Sequence, residues 1–342
     1  MKAVRFIEGG RPPEIVDIAK PEPGPGEVLL RIGGAGVCHS DLHVLDGEVP
    51  FKGPFTLGHE NAGWIEALGQ GVTGWKEGDA VAVYGPWGCG SCHHCQTSAE
   101  NYCENHASLP TFGGGLGSDG GMAEYMIVPD PRLLVPLGDL DPAQAAPLSD
   151  AALTPYHAIR AAQAKLTPDA TVLVTGIGGL GQMALQILKA TCSSRIVAAD
   201  ISADKLETAR KLGADVVVNS GAKSAEEEIR DLVGGRGVTV ALDFVGAQAT
   251  IDLASSLIGR DSRLTIVGLA GGTLSYNANT MPYGSQVMVP YWGTRAELIE
   301  VIALARSGQI KADIETHDLD EAVKVYDRLR EGKVPGRAVL VP

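Results

Sequence analysis

The sequence predicts an α/β protein of two domains, one small and β-rich, the other a doubly wound parallel sheet. Three observations carry this. The chain has 342 residues, more than one hydrophobic core of ordinary size accommodates. Its first third is a series of short strand-like runs punctuated by glycine and proline, the pattern of a barrel-like β domain. From residue 171 onward strands and helices alternate, as they do in a parallel sheet covered by helices on both faces.

Residues 1–7 read as an opening strand, too charged and too short for the apolar stretch of an export signal. The run Pro21-Glu22-Pro23-Gly24-Pro25-Gly26 is a turn or linker, with fixed φ angles and flexible glycines in alternation. Residues 27–32 then resume as a strand that delivers Gly36, Val37 and Cys38. Residues 62–69 and 78–83 repeat the strand pattern.

The stretch 38–60 concentrates chemistry. Cys38 and His59 are a zinc-like donor pair, with Ser40, His43 and Glu60 beside them. A catalytic zinc needs three protein ligands and one open position, and Asp150 is the candidate for the third. The alternative for an isolated cysteine is a small buried hydrophobe.

Cys89, Cys92, Cys95 and Cys103 follow with the spacing C-x2-C-x2-C-x7-C, in a polar loop that has no core of its own. Four thiolates surround zinc tetrahedrally, and such a loop gains its order from the ion. The alternatives are two disulfides or four free thiols, and a reducing compartment argues against the first. His93 and His94 lie between the cysteines as competing donors.

Residues 111–121 are dense in glycine, suited to a flexible loop beside a pocket or to a plain connection. Residues 121–128 return to strand character. Thr154-Pro155, just after Asp150, fits a helix start.

Residues 171–175 form a β-branched strand, followed by Gly176-Ile177-Gly178-Gly179-Leu180-Gly181 and a helix with Leu180, Ala184, Ile187 and Leu188 on one face. Residues 195–199 are the next strand, and Asp200 ends it, 19 residues after Gly181. Strand, glycine turn, helix, strand and acid in this order define a dinucleotide site. Gly176 and Gly178 let the backbone approach a pyrophosphate at the helix N-terminus, and Gly181 lets helix and strand pack closely. Asp200 would accept hydrogen bonds from the adenosine ribose and repel a 2′-phosphate, which predicts NAD over NADP. Ile201 and Ser202 supply no arginine to reverse that preference, although Lys205 lies nearby.

Further strands are expected at residues 216–218, 240–243, 264–267 and 287–289, with helices such as 205–212 and 250–257 between them. Residues 243–246 and 268–272 then fall at strand C-termini, where ligands of such sheets bind. After Trp292 a helix runs through Leu298, Ile299, Ile302 and Leu304. Residues 320–329 and 336–340 are a last helix and strand, expected to return to the first domain.

Composition narrows the partners. A net charge of -13 and the lack of basic runs argue against nucleic acid. No apolar run is long enough for a membrane span, and a cytoplasmic location is expected. With no export signal, the six cysteines point to metal or catalysis rather than to disulfides.

Together these residues resemble the zinc-dependent medium-chain alcohol dehydrogenases over essentially the whole chain. The four-cysteine lobe, Gly58-His59-Glu60, the glycine turn with Asp200 and the closing Gly336-Arg337 carry the resemblance. Tyr84-Gly85-Pro86-Trp87-Gly88-Cys89-Gly90 and Pro290-Tyr291-Trp292-Gly293-Thr294-Arg295 are similar to the bacterial NAD-dependent secondary alcohol dehydrogenases, which act on ketones and aldehydes, aryl ones included.

The resemblance implies a GroES-like catalytic domain from residues 1–150 and 294–342, with a zinc lobe at 87–104, around a Rossmann NAD-binding domain at 151–293. It implies a homo-oligomer, a tetramer in preference to a dimer. The implied cofactors are NAD and two zincs, one catalytic and one structural. The catalytic ion falls on Cys38, His59 and Asp150, where many relatives have a second cysteine in the place of Asp150; Glu60 is the rival ligand. Ser40 would take the alcohol proton and pass it through a ribose hydroxyl to His43, the alternative being a turn hydroxyl and a surface histidine. His39 and Arg337 would meet the pyrophosphate, and Thr154 the nicotinamide end. Gly179, Leu180, Lys205, Val245, Val267 and Leu269 are further implied cofactor contacts. Phe51, Leu116, Leu269 and Trp292 would line an apolar substrate pocket, or else are ordinary core. Two other functions are to be weighed against alcohol dehydrogenation. A zinc-free quinone or enoyl reductase would lack the metal donors, and a zinc-stabilised binding protein would lack an open metal position.

Overall fold

The computed structural model describes residues 1–109 and 111–342. They divide into two units. One comprises Met1–Leu153, Thr294–Gly308 and Ala312–Pro342, the other Thr154–Gly293 and Gln309–Lys311.

In the first unit, Val28–Gly36 is the strand around which the larger sheet is built. It pairs antiparallel with Glu60–Leu68 on one side, and with Tyr125–Val128 and Arg337–Val341 on the other. Val28, Leu29 and Leu30 are buried in succession and only Arg31 of this strand is exposed, the pattern of a strand covered on both faces over most of its length. The register against Glu60–Leu68 shifts at Leu29/Leu30 and again at Ile32/Gly34. Such bulges increase the local bend and twist, and the sheet curves over a core that includes Leu30, Ile65, Met126 and Leu137. Ala80–Val83 and Leu134–Pro136 extend the sheet beyond Glu60–Leu68, and Ile314–Asp318 pairs parallel to Arg337–Val341. Lys2–Phe6, Glu14–Asp17 and Phe55–Thr56 make a separate small sheet.

In the second unit, among the described residues, six parallel strands run in the spatial order Val216–Asn219, Arg195–Asp200, Thr171–Thr175, Val238–Asp243, Ile258–Ile266, Gln286–Met288. Every residue of Thr171–Thr175 is buried, as a central strand covered on both faces requires. From Thr171–Thr175 the chain winds first to one side and then, from Val238, to the other. The strand order therefore reverses between Thr171–Thr175 and Val238–Asp243, which sets a crevice at their carboxyl ends. Helices Gly179–Thr191, Ala203–Lys211, Ala225–Val233 and Gln248–Leu257 supply the crossovers.

One expectation needed correction. The strand predicted at 264–267 begins at Ile258, because Ile258 pairs with Val238 before a register shift and the exposed Arg260 and Asp261 mask the apolar pattern. In the helix Arg295–Arg306, Leu298, Val301 and Ile302 face the core, whereas Ile299 is exposed; the buried stripe follows the i, i+3, i+4 rows and Ile299 lies beside it. Thr294 starts this helix by a capping box with Glu297. Among the described residues no helix is long and apolar enough to cross a membrane.

Candidate active site

Gly36 pairs with Glu60 on one neighbouring strand and with Val339 on the other. A Cβ at Gly36 would lie 1.9 Å from Glu60 Oε2, so only glycine leaves room for that carboxylate. Cys38 follows as the N-cap of the helix His39–Leu45 and donates its N–H to Asp41 Oδ2 at 2.9 Å. The other oxygen of Asp41 lies 3.0 Å from His59 Nδ1. Asp41 thus fixes both the cysteine backbone and the imidazole ring, and turns His59 Nε2 toward the donors opposite.

Asp150, at the end of the turn Ala146–Ser149, supplies the third side. Its Oδ2 is 3.6 Å from Cys38 Sγ and 3.6 Å from His59 Nε2. Ligand atoms of Cys38, His59, Glu60 and Asp150 all lie within 4.8 Å of one another. A tetrahedral zinc with ordinary bond lengths sets sulfur–oxygen edges of about 3.5 Å and nitrogen–oxygen edges of about 3.4 Å. The thiol, imidazole and Asp150 carboxylate therefore fit that ion in kind and in spacing. Glu60 is engaged elsewhere: its carboxylate accepts from Arg337 Nε at 3.0 Å and from Arg337 Nη2.

The electrostatics also ask for a cation. Cys38, Asp41, Glu60 and Asp150 are all buried, against the one guanidinium of Arg337. Burial pushes the Glu60 carboxyl up to about 7, with Asp150 adding to it against the pull of Arg337. Burial opposes a charged His59, yet Asp41, Asp150 and Cys38 raise its pKa well above the usual imidazole range. Burial likewise opposes the charge on Arg337, and Glu60, Cys38 and Asp150 outweigh it and hold the proton more firmly. A divalent ion answers the same excess of negative charge without protonating the ligands.

Ser40 Oγ is 3.6 Å from Cys38 Sγ. His43, half-buried on the same helix, places Nδ1 2.5 Å from Glu48 Oε2. His39 is exposed. Arg337, expected at a pyrophosphate, is 5% exposed, and Nη2 also approaches Cys38 Sγ at 3.5 Å and Asp150 Oδ2 at 3.8 Å.

The second metal set lies in the cysteine lobe. Cys92 caps the short helix His93–Gln96, and Cys103 ends the turn Glu100–Tyr102. Cys89 Sγ is 3.8 Å from Cys95 Sγ, and Cys92 Sγ is 4.0 Å from Cys103 Sγ. A disulfide needs about 2 Å, whereas the sulfur–sulfur edge of a zinc tetrahedron is about 3.8 Å. Hydrogen bonds from Ser91, Cys92 N–H and Asn105 pull the Cys89 thiol down to about 5, while burial pushes Cys95 up to about 12. Without an ion these four would not all be thiolates at neutral pH. His93 is exposed and His94 pairs with Glu104 at 3.2 Å, so neither belongs to the four-sulfur set.

In the second unit, Gly176 has φ +84°, open to glycine and strained for other residues. A Cβ at Gly181 would meet Gly176 O at 2.0 Å, and one at Gly178 would meet nothing within 4 Å. Helix and strand are thus in close contact at Gly181, with open space over Gly178. The helix beginning at Gly179 and Leu180 presents its N-terminus here. Asp200 is buried and accepts from Ile177 N–H at 2.7 Å and Ser202 N–H at 2.9 Å. Val245, Val267 and Lys205 are half-buried, Thr154 is buried, and Leu269 is 66% exposed. Leu269 is therefore not a core residue, whereas Leu116 and Trp292 are buried. Phe51 packs against Phe112 and Phe55, with ring centroids 5.2 and 6.1 Å away.

Sequence reasoning missed the part played by Asp41, the anchoring role of Asp243 within the expected 243–246 strand end, and the Glu60–Arg337 contact. Asp243 is buried and accepts from Thr175 Oγ1, Val245 N–H, Gly246 N–H and Thr250 Oγ1 at 2.9–3.2 Å. It organises the loop at the strand end. Its signal was available, an aspartate closing an apolar strand; Asp41 had the weaker one of lying three residues after Cys38, where a side chain reaches back to the N-cap.

Comparison with known proteins agrees with this geometry. Residues 24–139 match the alcohol dehydrogenase GroES-like domain and residues 179–307 the zinc-binding dehydrogenase family. An NAD-dependent alcohol dehydrogenase of Sulfurisphaera tokodaii is 36% identical, with 100% of both chains covered. The crystal structure of an alcohol dehydrogenase from Aeropyrum pernix superposes with a TM-score of 0.91 at 39% identity, over 100% of both chains. Acetophenone reductase from Geotrichum candidum, solved in complex with NAD, gives a TM-score of 0.88 at 32% identity, over 100% of this chain and 96% of the other.

Proposed function

The chain belongs to the zinc-dependent medium-chain alcohol dehydrogenases, and from that premise we propose that it interconverts alcohols with ketones or aldehydes by hydride transfer to and from NAD. Secondary alcohols are the favoured substrates and aryl ones are included, in keeping with the acetophenone reductase among its neighbours. The observation that carries the reading is the convergence of Cys38, His59 and Asp150 on one point. It runs against a zinc-free reductase.

When bound, zinc supplies Lewis acidity toward a substrate oxygen and NAD supplies the hydride acceptor. The residues do the rest. Cys38, His59 and Asp150 would hold the catalytic ion. Asp41 fixes the His59 tautomer. Glu60 is held by Arg337 and serves as the alternate ligand during exchange, and Arg337 and His39 are assigned to the pyrophosphate. Ser40 takes the alcohol proton, and a ribose hydroxyl and His43 carry it on. In the nucleotide unit Gly176, Gly178, Gly179, Leu180 and Gly181 receive the pyrophosphate, Asp200 the ribose with Lys205 beside it, and Thr154, Val245, Val267 and Leu269 the rest of the cofactor. Phe51, Leu116 and Trp292 are the apolar residues assigned to the substrate. Cys89, Cys92, Cys95 and Cys103 hold a structural ion.

We assign the catalytic role to the unit built from both ends of the chain, and NAD binding to the other. A homotetramer in the cytoplasm completes the proposal, and light scattering on the purified protein tests its stoichiometry. The deciding experiment is a screen of primary, secondary and aryl alcohols with NAD, before and after chelation and after return of zinc. Activity lost on chelation and restored by zinc supports the reading. Full activity in protein shown to be free of metal would refute it.

A further inference from the structure

The helix His39–Leu45 ends in an arrangement that ties Glu48 to His43 twice. Gly47, with φ +76°, is the left-handed residue after the helix. Gly47 N–H bonds to Val44 O and Glu48 N–H bonds to His43 O, each at 3.0 Å. This is the Schellman pair of hydrogen bonds, and it returns residue 48 to the level of residue 43. The Glu48 carboxylate then meets His43 Nδ1 at 2.5 Å.

The end of the helix is itself anchored. Gly10 N–H bonds to Leu45 O at 2.7 Å, and a Cβ at Gly9 would lie 2.6 Å from Gly47 Cα. Asp46, the other carboxylate beside His43, is held by both terminal nitrogens of Arg330 at 2.6 and 2.7 Å. With Asp46 engaged there, Glu48 is the carboxylate that bonds the ring.

We propose that Glu48 is a positioning residue for the proton relay, holding the Nδ1–H of His43 so that Nε2 presents its lone pair to the incoming proton. When Nε2 takes that proton the ring becomes an imidazolium, and the carboxylate offsets the charge. This rests on the relay reading of Ser40 and His43 given above. It assigns a role to a loop residue that touches neither metal ligand nor nucleotide turn.

The test compares Glu48→Ala, Glu48→Gln, His43→Ala and the double variant as zinc- and NAD-loaded enzyme, with kcat and KM for alcohol oxidation measured separately. Nitrogen-15 spectra of histidine-labelled protein report the His43 tautomer. Glu48→Ala is expected to lower kcat about 10-fold, less than the roughly 100-fold or more that a positioned acid or base itself contributes, with KM for the alcohol unchanged. Glu48→Gln keeps an acceptor and retains the Nδ1–H tautomer, with a smaller loss. In the His43→Ala background the Glu48 change adds nothing. If His43→Ala is slow while Glu48→Ala keeps the parent kcat and tautomer, Glu48 has no such role. If His43→Ala itself turns over like the parent, the relay and this inference fall together, and the alcohol dehydrogenase reading stands on its metal dependence alone.

Discussion

Arg337 Nε lies 3.0 Å from Glu60 Oε2, both side chains are buried, and 277 residues separate them in sequence. The pair joins the strand Arg337–Val341 to the strand that begins at Glu60, directly after His59. Truncating one member leaves the other as an uncompensated buried charge. Arg337→Met is therefore expected to cost about 3–5 kcal/mol, read by urea unfolding. A loss below about 1 kcal/mol, the level of a surface pair, would mean that water reaches Glu60.

Asp41 touches no substrate in this scheme, yet it holds the His59 ring and the Cys38 backbone. Asp41→Asn keeps the shape and removes the charge. Zinc retention against a chelator should weaken about 10–100-fold, the usual effect of losing a partner of a ligating histidine. Unchanged retention would remove Asp41 from the metal site.

The cysteine lobe is independent of the catalytic set. Cys103→Ser should lower the metal content from about two ions per chain to about one and leave the Cys38 site loaded. Protection of the backbone around residues 89–103 should fall in hydrogen exchange, because the lobe has few buried apolar side chains to order it without the ion. Equal metal content in parent and variant would refute a closed four-sulfur site.

Asp200 has a structural duty beside its proposed contact with ribose, since it accepts from Ile177 N–H within the glycine turn. Asp200→Ala removes both, and the KM for NAD should rise about 10-fold or more, equivalent to about 1.4 kcal/mol. The ratio of NADP to NAD efficiency should rise with it. A variant that loses NAD and NADP activity equally would show that turn geometry, not charge, sets the preference.

Glu315 offers a pH test away from the metals. Burial works to raise its pKa, but hydrogen bonds from Arg328 and His317 prevail and lower it. The folded-state pKa lies below the unfolded one, so the stabilisation is fully present above the ordinary glutamate pKa and is lost as pH falls through the folded value. Glu315→Gln should therefore be less stable than the parent near neutrality, by about 1 kcal/mol. The two stabilities should converge as the solution is acidified below about pH 4. A constant difference across that range would assign the effect to packing.

Features with a fixed spacing were legible in the chain. The four cysteines, the glycine turn and Asp200 are local, and each residue type has one obvious task there. Cys38, His59 and Asp150 were legible as donors, yet nothing in their spacing told how they approach. That depends on Gly36, whose missing side chain admits Glu60, and on strand pairing between Gly36 and Val339. The role of Arg337 was obscure for the same reason, because its partner comes from the far end of the chain. Ile299 illustrates a different limit: an apolar residue one step off the buried stripe looks like core until the helix is seen against its neighbours.

The strand Arg337–Val341 docks beside Gly36, so the guanidinium that balances the pocket arrives only when two segments distant in sequence have met. With that strand undocked, the other segments still carry the thiol, the imidazole and both carboxylates. An ion captured in that state would sit in a more negative environment than the one it finally occupies.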